Sequence, residues 1–138
     1  MKVFVSFDYE NDRNYKFLLT ALAKNRNVDF TFEDVSSKEI NSYNIDRIKA
    51  SLTQKINQAD VTVVIIGKEA NKRHKDSWLI GYKNWQNFEI ARSVAAGNKI
   101  IGVKLDRSYE SPEELIGHCD AWAYSYTVDS ITSALAKV

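Results

Sequence analysis

The chain has 138 residues, of which 44% are hydrophobic and 27% are charged, as is ordinary for one globular domain with a sizeable core. The net charge is +1, which argues against the strongly positive surface of a protein that binds DNA or anionic membranes. Cys119 is the single cysteine, so no disulfide forms within the chain. No apolar run approaches the roughly 20 residues that cross a bilayer, and we expect a cytoplasmic protein.

Predicted strands and helices alternate through the first half of the chain. Residues 2–7 form an apolar run rich in β-formers, and apolar residues then recur at helical spacing over 15–23. Residues 28–32 alternate between apolar and polar side chains, which predicts a half-exposed strand. A polar loop follows, and residues 45–59 again show the apolar spacing of a helix.

The next β-α unit carries the strongest pattern. Residues 61–67, VTVVIIG, are a continuous β-branched run, which is typical of a strand covered on both faces. A long polar and aromatic loop over 68–84 leads to a predicted helix that begins near Trp85 and ends at Gly97. Residues 99–105 predict another buried strand.

The C-terminal part predicts a short helix, a strand and a last helix. Residues 111–114, Ser-Pro-Glu-Glu, match a capping box with proline at the first helical position, so we expect a short helix that ends near Gly117. Aromatic side chains then alternate along a predicted last strand, at Trp122, Tyr124 and Tyr126. A C-terminal helix is expected from about Asp129.

Five β-α units in succession predict a parallel sheet. We expect a single flavodoxin-like α/β domain over 1–138, with a parallel five-stranded sheet in the order 2-1-3-4-5 and helices on both faces. Such sheets bind ligands at the carboxyl ends of their strands, where the strand order reverses. Here the order reverses between strands 1 and 3, so the predicted site lies at residues 6–9 and at Gly67 with the loop after it.

Several kinds of site are excluded by missing motifs. The chain has no G-x-G-x-x-G after strand 1, no phosphate-binding G-x-x-x-x-G-K-[ST] and no nucleophile elbow. His74, His118 and Cys119 do not have the spacing of metal ligands, so we expect no metal and no bound cofactor. A receiver domain would need an aspartate at the end of strand 3, where this chain has Ile66 and Gly67.

Trp85 and Glu89 are one helical turn apart and share a helix face. One interpretation is structural, because Arg92 follows three residues later and a Glu–Arg pair on a helix surface is common and weak. The other is chemical, because a fixed carboxylate beside an apolar wall can stabilise a cation that develops during bond cleavage. In that case Glu89 is expected at the rim of a cleft, with Trp85 as its wall.

Five segments together resemble Toll/interleukin-1 receptor (TIR) domains. They are VFVSFDYEND at the start, FTFEDVSS after strand 2, VTVVIIG, the W-x-x-x-E helix and GNKIIGV. Their order and spacing extend over most of the chain. The resemblance is greatest to compact bacterial TIR-like proteins, the group that includes the TIR proteins of Thoeris anti-phage defence.

The resemblance implies an enzyme with a defined site. Enzymatic TIR domains of this kind cleave NAD, as substrate and not as cofactor, at the nicotinamide–ribose bond. They act as glycohydrolases or cyclases and release ADP-ribose or a derived signal nucleotide. The resemblance makes Glu89 the catalytic acid. It places six residues around the nucleotide: Ser6, Phe7, Asp8, Asp34, Ser36 and Trp85.

The resemblance also implies partners. A separate effector protein would read the signal nucleotide, a phage-derived trigger would start its synthesis, and the protein would assemble with copies of itself. We expect no nucleic-acid and no membrane partner.

Other interpretations of the same residues stay open. The domain could be a non-enzymatic TIR-like module that works by self-assembly, or a divergent receiver-like switch. Phe7 could be the last core residue of strand 1, and Asp8, Asp34 and Ser36 could serve as caps or turn residues.

Overall fold

The computed structural model describes residues 1–8, 31–33 and 45–138. Within these ranges the strands form one five-stranded sheet in the order β2-β1-β3-β4-β5, and each neighbouring pair is parallel. The bounds are β1 Lys2–Ser6, β2 Thr31–Glu33, β3 Val61–Ile66, β4 Lys99–Lys104 and β5 Ala121–Ala123. The flavodoxin-like order predicted from the sequence is therefore confirmed.

The described helices lie where apolar spacing predicts them, with one addition. Their bounds are α1 Ile45–Asn57, α2 Ser77–Ile80, α3 Trp85–Ala96 and α4 Val128–Leu135. The short α2 divides the segment that the sequence predicts as a continuous loop over 68–84. The helix predicted over 15–23 lies outside the described residues. Among the residues that are described, no helix is long and apolar enough to cross a membrane.

Alternating strand residues fill two cores, one on each face of the sheet. Val5, Val63 and Val103 pack with Ile131 of α4 on one face. On the other face, Phe4 packs with α1 and with Phe88 of α3, while Val64 packs with Ile90 of α3. Because β3 is buried along its whole length, its uninterrupted β-branched run matches its position in the middle of the sheet.

The capping box predicted at Ser111–Glu114 does not form. The chain makes only a 3-10 turn, Glu113–Leu115, and Pro112 precedes it with ψ 137° and no side-chain cap. Side chains distant in sequence cap the turn. Asn71 Oδ1 accepts a hydrogen bond from the Glu113 N–H at 3.0 Å, and Asn87 Oδ1 accepts one from the Glu114 N–H at 2.9 Å. The two N–H groups at the start of the turn thereby have hydrogen-bond acceptors, although the turn does not continue into a helix.

A row of paired residues crosses the sheet near its carboxyl edge. Ser6 is in register with Val64, Val64 with Gly102, and Gly102 with Trp122. Gly102 has no side chain, and the Trp122 indole lies in that space: a Cβ built on Gly102 would be 2.5 Å from Cζ3 of the indole. β5 ends at Ala123, so Tyr124 and Tyr126 lie beyond the strand predicted for them.

The contact between Gly102 and Trp122 predicts a conditional effect of Gly102→Ala. In the wild-type background the new methyl group displaces the indole, and we expect a loss of about 1–3 kcal/mol of unfolding free energy. In a Trp122→Leu background the methyl group has room, and a strand alanine is favoured over glycine by about 0.5–1 kcal/mol. Urea denaturation of the four proteins measures both values. Equal costs in the two backgrounds would contradict the contact.

Candidate active site at the carboxyl ends of β1 and β3

The ends of α3 are set by local capping. Asn84 precedes the helix, and its Oδ1 accepts from the Asn87 N–H at 2.9 Å. Gly97 ends it in a left-handed conformation at φ 79°, which glycine adopts without strain. The predicted helix start near Trp85 and stop at Gly97 are confirmed. The first turns of α3 bury polar side chains, at Gln86, Asn87 and Glu89.

Ser6 and Glu89 meet where the strand order reverses. Ser6 is the last residue of β1, and its Oγ donates to Glu89 Oε1 at 2.9 Å. Both side chains are buried, and Glu89 is only 3% exposed. The carboxylate is therefore deeper than the cleft rim predicted from the sequence. Its closeness to the end of β1 agrees with the location that the resemblance implies.

Gln86 joins α3 to the two strands that flank the reversal. Its Nε2 donates to the main-chain oxygens of Ser6, at 3.2 Å, and Ile65, at 2.8 Å. Its Oε1 is buried and has no hydrogen-bond partner among the residues that the structure describes. Gln86 and Glu89 are three residues apart and both contact Ser6, one at its main chain and one at its hydroxyl. The site thus presents a carboxylate and a buried acceptor side by side.

Three asparagines hold the surrounding segments together. Asn87 Nδ2 donates to Asn84 Oδ1 at 3.0 Å and to Asn71 Oδ1 at 3.3 Å. Asn84 Nδ2 donates to the main-chain oxygens of Ala70 and Lys72. This asparagine set links the segment after β3, the start of α3 and the 3-10 turn into one unit behind Glu89.

Sequence reasoning did not single out Gln86 or the asparagine set. A usable signal was present, because Gln86 and Asn87 follow Trp85 directly in a helix that must cover the sheet. Polar residues in such a segment are either exposed or partnered by main-chain groups.

The other predicted site residues are placed differently. Phe7 is buried in the core on the α4 face, with Val5 and Val63, so it takes the core role left open by the sequence. Trp85 is half-buried beside the α1 core, and its ring contacts Phe88 edge-to-face at 5.7 Å. Asp8 is half-buried just after β1. Asp34 and Ser36 lie outside the described residues.

The surface ion pair considered for Glu89 is wrong. Arg92 lines a cavity between α1 and α3 together with Lys49 and Phe88, and its Nε is buried with no hydrogen-bond partner in ranges 1–8, 31–33 and 45–138. No ion pair links Arg92 to Glu89 in the described part of the chain. The position of Glu89 is set instead by Ser6 and by the packing of α3 on the sheet.

Cys119 is half-buried beside β5, where its thiol donates to the main-chain oxygen of Ala121 at 3.0 Å. Burial raises the pKa of this thiol above its ordinary value, and the nearby Asp120 charge acts in the same direction. Among the described residues, no group of three His, Cys, Asp or Glu side chains is placed to hold a metal ion.

Comparison with known proteins assigns the family. The TIR-like domain family of the Thoeris protein ThsB matches residues 4–110. The chain belongs to this family. The matched range begins within β1 and contains β2, β3, α3 and β4, so it includes both Ser6 and Glu89. No curated protein matches the chain.

Solved structures show the fold of this TIR-like domain in more distant proteins. A 2-deoxyribosyltransferase from the psychrotolerant bacterium Bacillus psychrosaccharolyticus has 14% sequence identity and a TM-score of 0.60, over 91% of this chain and 88% of that chain. A 2-desoxiribosyltransferase from Leishmania mexicana has 13% identity and a TM-score of 0.52, over 76% of this chain and 65% of that chain. At such identities the likeness concerns the fold alone.

The asparagine set predicts a large stability effect for Asn87→Ala. The change removes two side-chain donor bonds and leaves the Glu114 N–H without its acceptor, so we expect a loss of about 2–4 kcal/mol of unfolding free energy. Asn57→Ala is the matched control, because Asn57 is exposed at the end of α1. It should change stability by less than about 0.5 kcal/mol. Equal effects of the two changes in urea denaturation would contradict the role of the set.

The raised pKa of Cys119 predicts slow alkylation. The thiolate is the reactive form, and a raised pKa lowers its fraction at any pH below that pKa. At pH 8 the native protein should react with iodoacetamide more slowly than the denatured protein, and the native rate should rise further into the alkaline range. Mass spectrometry of timed samples measures both rates. A native rate equal to or above the denatured rate would contradict the assignment.

Proposed function

We propose that this TIR-like domain cleaves NAD at the nicotinamide–ribose bond, with the Glu89 carboxylate beside the reacting ribose. The observation that carries the proposal is the buried hydrogen bond from Ser6 to Glu89 at the carboxyl end of β1. In open parallel sheets, ligands bind at this edge and at this reversal of strand order. A carboxylate that is fixed before the ligand arrives has little reorganisation to undergo during the reaction.

The chemistry needs only one carboxylate. When the bond from nicotinamide to the ribose breaks, its electron pair leaves with the nicotinamide nitrogen, which becomes neutral. Positive charge then develops on the ribose, and the negative charge of Glu89 stabilises it. Attack by water, with loss of a proton, gives ADP-ribose. Attack by a nucleophilic atom of the nucleotide itself, also with loss of a proton, gives a cyclised product.

The buried Oε1 of Gln86 supports the same location. An acceptor without a partner inside a protein costs free energy, and native structures seldom keep one without a reason. NAD carries suitable donors close to the reacting bond, namely the carboxamide N–H groups and the ribose hydroxyls. A ligand beside Glu89 would give Gln86 Oε1 the partner that the described residues do not supply.

Family membership supports the biological setting. As a Thoeris-type TIR-like domain, the protein would act in anti-phage defence. An ADP-ribose-derived nucleotide would be the signal, a separate effector would read it in the cytoplasm, and a phage-derived trigger would start the reaction. Self-association of the domain is part of the same proposal.

Glu89→Gln provides the test, because it removes the charge and keeps the size and an acceptor for Ser6. We expect nicotinamide release to fall by about a hundredfold to a thousandfold, since a group aimed at developing charge is typically worth several kcal/mol. Stability should fall by no more than about 1–2 kcal/mol, the difference between a charged and a neutral hydrogen bond. Chromatography of nicotinamide and urea denaturation measure the two effects on the same preparation.

Glu113→Gln is the control for general loss of negative charge, because Glu113 is exposed and, among the described residues, its carboxylate forms an ion pair with Lys83 alone, at 3.8 Å. It should retain wild-type turnover. Assays should include cells infected with phage, where the trigger is present, and a transfer assay with 2′-deoxynucleosides. If neither purified protein nor infected cells consume NAD, the non-enzymatic self-assembly module replaces this proposal. Turnover that persists in a destabilised Glu89→Gln protein would make Glu89 a structural residue.

A further inference from the structure

A second pocket opens on the same face and edge of the sheet, away from Glu89. It has a volume of about 500 Å³ and is lined by Lys104, Arg107, Ser111, Trp122 and Tyr124. Volumes of a few hundred Å³ are usual for pockets that take small organic ligands. Trp122 is three strands from Ser6 in the same row, so the two sites are about 14 Å apart at the usual strand spacing.

The floor of this pocket is a fixed aromatic pair. The Trp122 indole is held over β4 because Gly102 has no side chain. Tyr124 stacks on it with an interplanar angle of 20° and a centroid distance of 6.4 Å. Tyr124 is 63% exposed, which is unusual for a large ring beside a core. The pair therefore presents a flat, preformed surface to solvent, on which a base can stack.

Two cations border the aromatic pair. Lys104 Nζ lies over the Trp122 ring at 5.9 Å from its centroid, and Arg107 is exposed on the segment that follows β4. Among the described side chains, neither cation has a carboxylate within ion-pair distance. Such cations are available to an anionic ligand.

The nearest acidic side chains in the sequence have other partners. Asp106 accepts from the Ser108 hydroxyl at 2.6 Å and from its N–H at 2.8 Å, and these bonds hold the pKa of its carboxyl below the ordinary value. Glu110 accepts from Asn71 Nδ2 at 3.0 Å. The carboxylates of Asp106 and Glu110 thus accept hydrogen bonds from other groups, and in the described part of the chain neither forms an ion pair with Lys104 or Arg107.

We propose that this pocket binds a nucleoside phosphate, with the base on the Trp122–Tyr124 pair and the phosphate between Lys104, Arg107 and the Ser111 hydroxyl. The site combines the two recognition elements such a ligand needs, a π-face for the base and charge-assisted donors for the phosphate. The proposal does not depend on NAD cleavage. The ligand is either a free nucleotide or the adenosine monophosphate part of a dinucleotide held at Glu89.

The first experiment titrates AMP, adenosine and inorganic phosphate into the ¹⁵N-labelled protein and follows amide shifts by NMR. We expect saturable AMP binding with shifts centred on residues 102–111 and 121–124. The Lys104→Gln/Arg107→Gln double variant should lose about tenfold or more in AMP affinity and little in adenosine affinity. Tyr124→Leu should weaken both. Lys99→Gln is the matched control, because Lys99 is exposed at the opposite end of the same strand, and it should bind AMP as wild type does.

Competition between AMP and NAD distinguishes a free nucleotide from the adenosine monophosphate part of a dinucleotide as the ligand of this pocket. In Glu89→Gln protein, in which we expect NAD to be consumed much more slowly, displacement of NAD by AMP would show that the pocket holds the adenosine end of the dinucleotide. Simultaneous binding would show an independent nucleotide site. The proposal is overturned if AMP fails to saturate at millimolar concentration, if phosphate alone binds as tightly as AMP, or if a single-stranded oligonucleotide binds far more tightly than either.

Discussion

The site depends on how the first turns of α3 attach to the carboxyl ends of β1 and β3. Gln86 bonds a main-chain oxygen on each strand, and Glu89 accepts from the hydroxyl that ends β1. Helices usually cover a sheet through apolar contacts, whose driving force is non-directional. Hydrogen bonds to two strand ends add a defined direction to that packing. They set the rotation of α3 and hence the direction in which the Glu89 carboxylate points.

The asparagine set extends this constraint outward. An asparagine side chain offers a donor and an acceptor, so Asn71 and Asn87 can each cap the 3-10 turn with the oxygen and bond a neighbour with the nitrogen. The segment after β3, the helix start and the turn after β4 are thus coupled through three small side chains. A network of this kind with unpaired polar atoms would be less stable than an apolar core. The hydrogen bonds that the three side chains make to one another and to the main chain avoid that cost.

The sequence predicts well whatever depends on local pattern. The β-branched run of β3, the apolar spacing of α1 and the stop at Gly97 follow from local physics and are confirmed. The capping box at Ser111 fails because partners distant in sequence, Asn71 and Asn87, compete for the same N–H groups. The sequence pattern also did not show which side chains at the end of β1 face the site. Ser6 and Phe7 are neighbours, yet successive residues point to opposite faces, so only Ser6 reaches Glu89.

The burial of Glu89 has two opposed consequences for the catalysis that we propose. A carboxylate that is 3% exposed is poorly hydrated, and the Ser6 hydroxyl supplies part of the hydrogen bonding that water would give. The same low-dielectric surroundings strengthen its attraction for a cation that develops nearby. If Glu89 acts on NAD as proposed, a ribose has to reach a carboxylate that is 3% exposed, so the proposed reaction requires the exposure of Glu89 to increase when the substrate binds. The burial that strengthens the attraction for a developing cation therefore also restricts access to it.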